Sequence, residues 1–209
     1  MEVAIFGAGG HGKVILDILL ESGKKVRGFL DENPGKIGQK VAGLKILGSW
    51  DYLAKNKNLA VALGIGNNHI REKIYLQLKE LGIKIITAIH PAACVSRLAV
   101  IGEGVVMMPG AVVNASARLE EGVVINTGAT VDHDCHLARF SHVWPGAHLA
   151  GAVKVGAFSY IGAGAAVIQN KTIGQNSIIG AGAVIINDIP AGVTAVGVPA
   201  KVIKNHEKA

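Results

Sequence analysis

The residues best suited to chemistry are histidines gathered in one stretch. Four of the eight histidines lie between residues 133 and 148, and two aspartates flank the first of them, His133. An imidazole, with a reference pKa of about 6.5, can accept a proton from an attacking amine or hydroxyl near neutral pH. A neighbouring carboxylate can orient the ring. His133 with Asp134 is therefore the candidate general base.

A six-residue period runs through this stretch and must position these side chains. An aliphatic residue recurs at every sixth position from Ile89 to Ile185, and a small residue follows most of them by four. This period fits neither an ordinary helix nor an alternating strand. It is typical of a hexapeptide β-helix, in which three short faces make one coil of eighteen residues. The aliphatic residues are expected to point inward, and the small residues to fill tight corners.

The period also predicts what lies beside His133. His133 and Asp134 occupy the third and fourth positions of the unit that begins at Val131, and these positions point outward. Gly151 follows eighteen residues later, so it should lie one coil above at the ~4.8 Å spacing of neighbouring strands. A base, an orienting carboxylate and a backbone N–H for an oxyanion are the groups that acyl transfer needs.

The other histidines are six residues apart, so they fall on three different faces. His136 and His148 are expected at solvated corners, and His142 could serve either the site or interface packing. A site that uses His133 together with His142 must form between subunits, which predicts a homotrimer of packed prisms. A zinc site shared between subunits is the alternative. Because the spacing of His133 and His136 spans a corner, no metal is expected.

A glycine-rich turn near the N-terminus offers a second chemistry. A short apolar strand leads into Gly7, Gly9 and Gly12 with G-x-G-x-x-G spacing, and a helix follows. Backbone N–H groups at such a helix N-terminus suit a phosphate. Asp31 and Glu32, at the end of the second strand, could accept hydrogen bonds from a base or ribose. The alternative is a tight turn that only closes the sheet.

These segments predict two domains. Residues 1–86 read as a Rossmann-like parallel α/β domain, too short for two mononucleotide halves, so NAD is not expected. It includes a short helix capped by Ser49 and a longer helix over residues 68–81. Residues 87–209 read as the β-helix with a C-terminal cap after Ile185.

Composition narrows the class of protein further. The 209 residues are 50% hydrophobic but only 4% aromatic, as a narrow prism filled with small aliphatics requires. No run of apolar residues is long enough for a transmembrane helix, and no basic leader precedes the first strand. Two cysteines make no disulfide framework, so a cytoplasmic protein is predicted. The charge of +6 includes a cluster at Lys201, Lys204 and Lys208, either solvated or attracting an anionic substrate. Nucleic acid is not an expected partner.

Several motifs together resemble bacterial hexapeptide sugar acyltransferases, closest to the group that N-acetylates UDP-4-amino sugars and is classed with sialic acid O-acetyltransferases. The resemblance covers nearly the whole chain and implies a left-handed parallel β-helix, a homotrimer, and acetyl-CoA in a groove between prisms. The motifs are Gly7–Gly12, Phe29–Glu32, Gly64–Arg71, Asn126–Thr127, Val131–Cys135, Phe140–Val143 and Gly197–Lys201.

The resemblance also implies roles for single residues. His133 matches the general base and Asp134 its acidic support, a position that is often Glu in the closest group. The nucleotide-sugar site is implied at Gly9, Gly10, His11, Asp31, Glu32, Gly64, Asn67 and Asn126. Acetyl-CoA contacts are implied at His142, Gly151, Gly197, Pro199 and Lys201.

The predicted function is an acetyl-CoA-dependent N-acetyltransferase acting on a nucleotide-linked, UDP-type 4-amino sugar, with direct attack by the amine. Three alternatives stay open at this point. They are a sugar O-acetyltransferase, a zinc-dependent hydratase, and a sugar-nucleotide binder without catalysis. GDP-linked substrates such as GDP-perosamine would also suit the acidic pair.

Overall fold

The computed structural model describes residues 1–206, which divide into two compact units. The first is Met1–Pro91 and the second begins at Ala92. The sequence placed the domain boundary slightly earlier, after residue 86. None of the helices described in residues 1–206 is long and apolar enough to cross a membrane.

The first unit is a parallel sheet flanked by helices, with one antiparallel edge strand. The sheet runs in the order β3-β4-β2-β1-β5-β6, and only β3 is antiparallel to its neighbour. Its strands are β1 (Val3–Phe6), β2 (Val26–Leu30), β3 (Lys40–Val41), β4 (Leu44–Gly48), β5 (Ala60–Leu63) and β6 (Ile85–Ile86), and β7 (Ala88–Ile89) follows in the chain outside this sheet. Its helices are α1 (Gly10–Glu21), α2 (Trp50–Lys55) and α3 (Asn68–Glu80), with a 3₁₀ turn at Pro34–Lys36. The prediction that Ser49 caps α2 through its side chain is wrong, since that side chain makes no capping bond.

Adjacent strands β1 and β5 end in glycine turns that pack against each other. A Cβ on Gly7, where φ is +110°, would lie 2.5 Å from the carbonyl oxygen of Gly64. A Cβ on Gly12 would overlap the carbonyl oxygen of Gly7. These glycines therefore allow α1 to begin close against the sheet, which fixes where its N-terminus lies.

The second unit is a parallel β-helix whose strands are two residues long and pair with strands eighteen residues away. Thr130, for example, lies between Val112 and His148. The His142 face holds β10 (Val106–Met107), β13 (Val124–Ile125), β16 (His142–Val143), β19 (Tyr160–Ile161) and β22 (Ile178–Ile179). The Thr130 face holds β8 (Cys94–Val95), β11 (Val112–Val113), β14 (Thr130–Val131), β17 (His148–Leu149), β20 (Ala166–Val167) and β23 (Val184–Ile185). The Arg118 face holds β9 (Val100–Ile101), β12 (Arg118–Leu119), β15 (His136–Leu137), β18 (Lys154–Val155) and β21 (Thr172–Ile173).

The second residue of each strand fills the core. From Met107 to Ile185 these aliphatic side chains are at most 2% exposed, and each contributes roughly 1.5–3 kcal/mol by leaving water. The first three in the series are only partly buried: Ile89, Val95 and Ile101. The expectation of an inward residue at every sixth position therefore holds fully only beyond the first coil.

The first residue of each strand points outward, and these residues differ between faces. Those of the Arg118 face include three basic side chains: Arg118, His136 and Lys154. The outward positions of the His142 and Thr130 faces carry no Asp, Glu, Lys or Arg. On the His142 face Val106, Val124 and His142 are already buried within the chain, so the Thr130 face and the Tyr160 and Ile178 part of the His142 face present the kind of surface that another subunit could cover.

The C-terminal segment closes the β-helix as a hairpin. Strand β24 (Val193–Gly197) adds parallel to β22 and turns back into β25 (Ala200–Asn205). This is the predicted cap. Lys201 and Lys204 lie on β25, while Lys208 lies outside the described residues.

Candidate active site

His133 lies at an exposed corner between the Thr130 face and the Arg118 face. Its side chain is 60% exposed, and its Nδ1 lies 2.8 Å from Oδ2 of Asp134. Asp134 adopts a left-handed backbone with φ of +59°, a conformation that aspartate tolerates better than most residues. Its N–H donates to the carbonyl of Ala115 one coil below, which anchors the corner.

The two flanking carboxylates raise the pKa of His133. The hydrogen bond that Nδ1 of His133 donates to Asp134 raises the pKa most, and the charge of Asp132 adds to it. Both stabilise the imidazolium, so the ring becomes a better proton acceptor. This is the electrostatic setting that a general base requires.

Gly151 lies directly above the His133 ring, as the eighteen-residue coil predicts. Ala152 donates to the carbonyl of His133 at 2.8 Å, which sets the register of the two corners. A methyl group on Gly151 would lie 2.6 Å from Cε1 and 2.7 Å from Nε2 of the imidazole. Only glycine leaves room for the ring here, so the imidazole lies against the backbone at Gly151.

A second pair lies on the His142 face. Nδ2 of Asn126 and Nε2 of His142 are 3.1 Å apart, and the His142 side chain is buried. Trp144 and Tyr160 each place a ring centroid 6.1 Å from that of His142. The structure therefore joins Asn126 to His142. It places the pair on a different face from His133, so one chain does not assemble all three.

The remaining histidines of the cluster have partners of their own. Nε2 of His136 lies 2.7 Å from Glu120, and Nδ1 of His148 lies 2.9 Å from Oγ1 of Thr130. Both side chains are exposed, but the prediction that they occupy corners is wrong. Each lies on a strand, because the corner ends one residue earlier.

Two shallow cavities flank these groups. One of about 260 Å³ is almost entirely apolar and lies above His142, between Trp144, Tyr160 and Ile178. The other, of about 350 Å³, lies on the Thr130 face between Asp132, His148 and Gln169. Within residues 1–206 no group of three or more His, Cys, Asp or Glu side chains is arranged to hold a metal ion.

The N-terminus of α1 is built from glycines that packing does not require. Gly9 is the N-cap in an extended conformation, and Gly10 opens the helix. Among the described residues, nothing lies within 4 Å of a Cβ placed on either. The N–H groups that begin the helix therefore border open space, which is the geometry of an anion site.

The acidic pair after β2 is partly committed to local structure. Asp31 accepts from the N–H groups of Ala8 and Asn33 and pairs with Lys36 at 2.9 Å. Partial burial raises its pKa, but these contacts outweigh burial and the pKa lies below its ordinary value. Glu32 accepts from the indole N–H of Trp50 at 3.0 Å.

Two other residues predicted to bind substrate have structural roles here. Asn67 caps α3 by accepting from the N–H of Ile70 at 3.0 Å. Gly64 allows the two glycine turns to meet, since its Cβ would lie 2.8 Å from the carbonyl oxygen of Gly7. Gly64 thus lies beside the start of α1, and Asn67 lies at the start of α3.

Arg71 is a buried cation beneath this region, and sequence reasoning gave it no role. It donates to the carbonyls of Ile65 and Gly66 and to Oδ1 of Asn68 at 2.7 Å. Burial, and then the charge of Arg71, lower the pKa of His11 to about 4. His11 is therefore neutral at physiological pH. The sequence signal that could have revealed a role for Arg71 is its position in the first turn of a helix that follows a glycine turn.

The predicted C-terminal contacts lie together in the hairpin. Gly197 ends β24 with φ of +100°, the Val198–Pro199 peptide is cis, and the exposed Lys201 is the second residue of the return strand. The hairpin adds to the His142 face through β22, on the face that carries the apolar cavity.

Comparison with known proteins relates the two units to one class of enzyme. Residues 2–78 match the family described as PglD N-terminal domain. The chain is 39% identical over 112 residues to UDP-N-acetylbacillosamine N-acetyltransferase of Bacillus subtilis, an alignment that covers 51% of each protein. The chain thus spans about half the length of the curated relatives it matches.

Two solved structures match almost the whole chain. The acetyltransferase domain of PglB from Neisseria gonorrhoeae, in complex with acetyl coenzyme A, has a TM-score of 0.89 at 42% identity, covering 97% of this chain and 98% of that one. PerB from Caulobacter crescentus, in complex with CoA and GDP-perosamine, has a TM-score of 0.93 at 39% identity, covering 98% of both.

The fold and these likenesses place the chain in the class of hexapeptide-repeat acyltransferases. The chain belongs to the hexapeptide sugar N-acetyltransferase family. The predicted fold class, a Rossmann-like α/β domain followed by a left-handed parallel β-helix, is confirmed.

Proposed function

We propose that this protein is an acetyl-CoA-dependent N-acetyltransferase acting on a nucleotide-linked 4-amino sugar. The observation that carries the proposal is the corner where the His133 imidazole, supported by Asp134, lies against the backbone of Gly151. Related structures support the two substrates. One holds acetyl coenzyme A, and another holds CoA with GDP-perosamine.

The proposed reaction is direct transfer. The sugar amine attacks the thioester carbonyl, a C–N bond forms, and the C–S bond breaks to release CoA as a thiol. His133 accepts the proton lost by the nitrogen and passes it to the departing sulfur, and the N–H of Gly151 stabilises the oxyanion. Asp134 holds Nδ1, so Nε2 faces the reacting atoms.

The complete site is proposed to form in a homotrimer. The uncharged outward positions of the His142 and Thr130 faces suit subunit packing, whereas the basic Arg118 face suits solvent. Such packing would bring Asn126 and His142 of one subunit to His133 of the next, with acetyl-CoA between them. The apolar cavity and the Gly197, Pro199 and Lys201 hairpin would then border the cofactor groove. Two free cysteines, one exposed and one buried, fit a cytoplasmic enzyme.

Light scattering on the purified protein tests this assembly. The expected mass is three times the chain mass of 21.6 kDa. Ala166→Arg on the Thr130 face should disrupt the trimer, and Thr172→Arg on the Arg118 face is the matched control. Monomers with full activity would refute a site shared between subunits.

The nucleotide is proposed to bind at the N-terminus of α1. Gly9 and Gly10 would bring backbone N–H groups to its phosphates, and neutral His11 would lie beside them. Asp31 and Glu32 would accept from the base or ribose, next to the turns that carry Gly64 and Asn67. We favour UDP, while PerB shows that GDP is bound within the family.

The decisive experiment is release of free CoA from acetyl-CoA with a panel of UDP-, GDP-, dTDP- and CMP-linked sugars. Each amino sugar is paired with the matching hydroxyl sugar, and mass spectrometry locates the new acetyl group. We expect turnover only with an amino sugar and an amide product. An ester product would identify a sugar O-acetyltransferase instead, while binding without turnover by the whole panel would refute catalysis.

A further inference from the structure

Asp132 is the carboxylate next to His133 to which the proposed mechanism gives no role. One of its oxygens, Oδ1, accepts two hydrogen bonds. The backbone N–H of His133 donates at 2.8 Å, and Nδ2 of Asn114 donates at 2.9 Å. Asn114 lies eighteen residues before Asp132, so the β-helix places it one coil directly below. The carboxylate is thus tied both to the corner and to the coil beneath it.

We propose that Asn114 and Asp132 form a positioning pair that fixes the His133 corner and holds a negative charge beside the imidazole throughout the reaction. This inference rests on the proposed function, in which His133 accepts a proton. The pair acts through His133 and touches no substrate in this scheme. Asn114 is therefore predicted to affect catalysis from a different coil.

Neither member of the pair is held in place by burial. Asn114 is exposed and Asp132 only half-buried, so neither is confined by packing. A carboxylate in that setting would normally rotate freely and be solvated, with little effect on a neighbour. Two donors on one oxygen remove that freedom and leave the charge in a defined place.

The second step is electrostatic. His133 forms an imidazolium when it accepts the amine proton, and a fixed anion nearby stabilises that product. The N–H of His133 and then Asn114 lower the pKa of Asp132, so it stays ionised. The other ionisable groups around the corner are Asp134, on Nδ1, and His148, which borders the same cavity as Asp132. The buried Cys135 thiol has its pKa raised by burial and stays neutral.

The competing explanation is that the pair only stabilises the turn. Asp132→Asn separates the two ideas, because an amide oxygen can still accept both N–H groups while the charge is lost. Titration of the His133 ring by NMR in the substrate-free protein is the first readout. We expect the imidazole pKa to fall in Asp132→Asn. An unchanged pKa would overturn the electrostatic role, whatever reaction the enzyme performs.

Kinetics provide the second readout. Asn114→Ala should lower kcat roughly two- to tenfold with little change in KM, the range expected for loss of one hydrogen bond. Asn114→Gln, which keeps an amide donor, should recover part of that loss. Ser96→Ala is the matched control, since Ser96 lies one further coil down the same column. Equal kcat in Asn114→Ala, Asn114→Gln and the wild type would overturn the positioning role.

A double variant tests whether the pair acts through His133. In a His133→Ala background, Asp132→Asn should change the residual rate by less than twofold, because the charge no longer has a base to act on. A further loss equal to that in the wild type would show an independent role and refute the proposal. If the wild type acetylates no sugar, the NMR titration still decides the electrostatic claim separately from the proposed function.

Discussion

The glycine turns of the first unit and the His133 corner of the second are both candidate sites, yet they are built in opposite ways. In the first unit the side chains are largely committed to the fold, as Asn67 and Asp31 show, and the groups proposed to face a ligand are the backbone N–H groups at Gly9 and Gly10. At the corner, the side chains of His133 and Asp134 are exposed, and the repeat together with hydrogen bonds within the corner sets their position. Side-chain changes in the first region should therefore mainly lower the stability of the protein, whereas changes at the corner should mainly lower the reaction rate.

The largest effect should come from His133→Ala. Removing the proposed base should lower kcat by roughly 10²–10⁴ with the fold intact, because the side chain is exposed and supports no packing. Steady-state kinetics measure kcat, and thermal melting of the same preparation shows whether the fold is intact. His136→Ala, an exposed histidine three residues away, is the control. Wild-type turnover in His133→Ala would remove it from the mechanism.

Substitutions in the glycine turns should act on stability first. Gly12→Ala should cost several kcal/mol, roughly 2–4, because its Cβ overlaps the Gly7 carbonyl oxygen. In Gly10→Ala the added methyl group contacts no atom of the described structure, so stability should change by less than about 0.5 kcal/mol. The same substitution should raise KM for the nucleotide sugar. Chemical denaturation and substrate titration compare the two. Equal stabilities would contradict the packing of the turns.

Lowering the pH should reduce the stability of the first unit over a defined pH range. The pKa of His11 in the folded protein is about 4, below its ordinary value, so between those values the unfolded chain binds a proton that the folded one does not. Stability should therefore fall as pH drops from about 6.5 to 4, by up to about 3 kcal/mol. In a Trp144→Phe background, Trp50 fluorescence reports on this unit. His11→Asn should flatten the dependence, and an unchanged slope would refute the assignment.

Gly151→Ala should have the smallest of these effects, and it should appear in the rate. The added methyl meets the end of a movable side chain, so the protein should fold while the imidazole is displaced. We expect kcat to fall roughly 10- to 100-fold, as misplacement of a reacting group does. In a His133→Ala background, Gly151→Ala should lower the residual kcat only slightly further. A full additional loss there would show that Gly151 acts independently of the ring.

The His133 corner could be predicted because a fixed period converts sequence distance into position. Counting eighteen residues placed Gly151 above His133, and counting by sixes separated His142 from both. The pairing of Asn126 with His142 was within reach of the same counting, since both flank the core residues of neighbouring coils on one face. It was missed because their separation is sixteen rather than eighteen.

The first unit was harder to predict because its contacts are not periodic. An Asn after a glycine turn suits a ligand or a helix cap equally well, and only coordinates show Asn67 capping α3. Arg71 sits in a helix where a cation is ordinarily solvated, so its burial depends on carbonyls brought together by tertiary packing. Partial exposure of Ile89, Val95 and Ile101 likewise reflects their place at the start of the β-helix.

The two-residue strands have a consequence for how this protein can change in length. Each complete turn of the chain is interchangeable with its neighbours, so deleting eighteen residues well above the His133 corner should shorten the prism and leave Gly151 aligned with His133. One extra residue anywhere between positions 133 and 151 would instead rotate everything that follows. Natural variation in such a scaffold should accordingly come in multiples of whole turns.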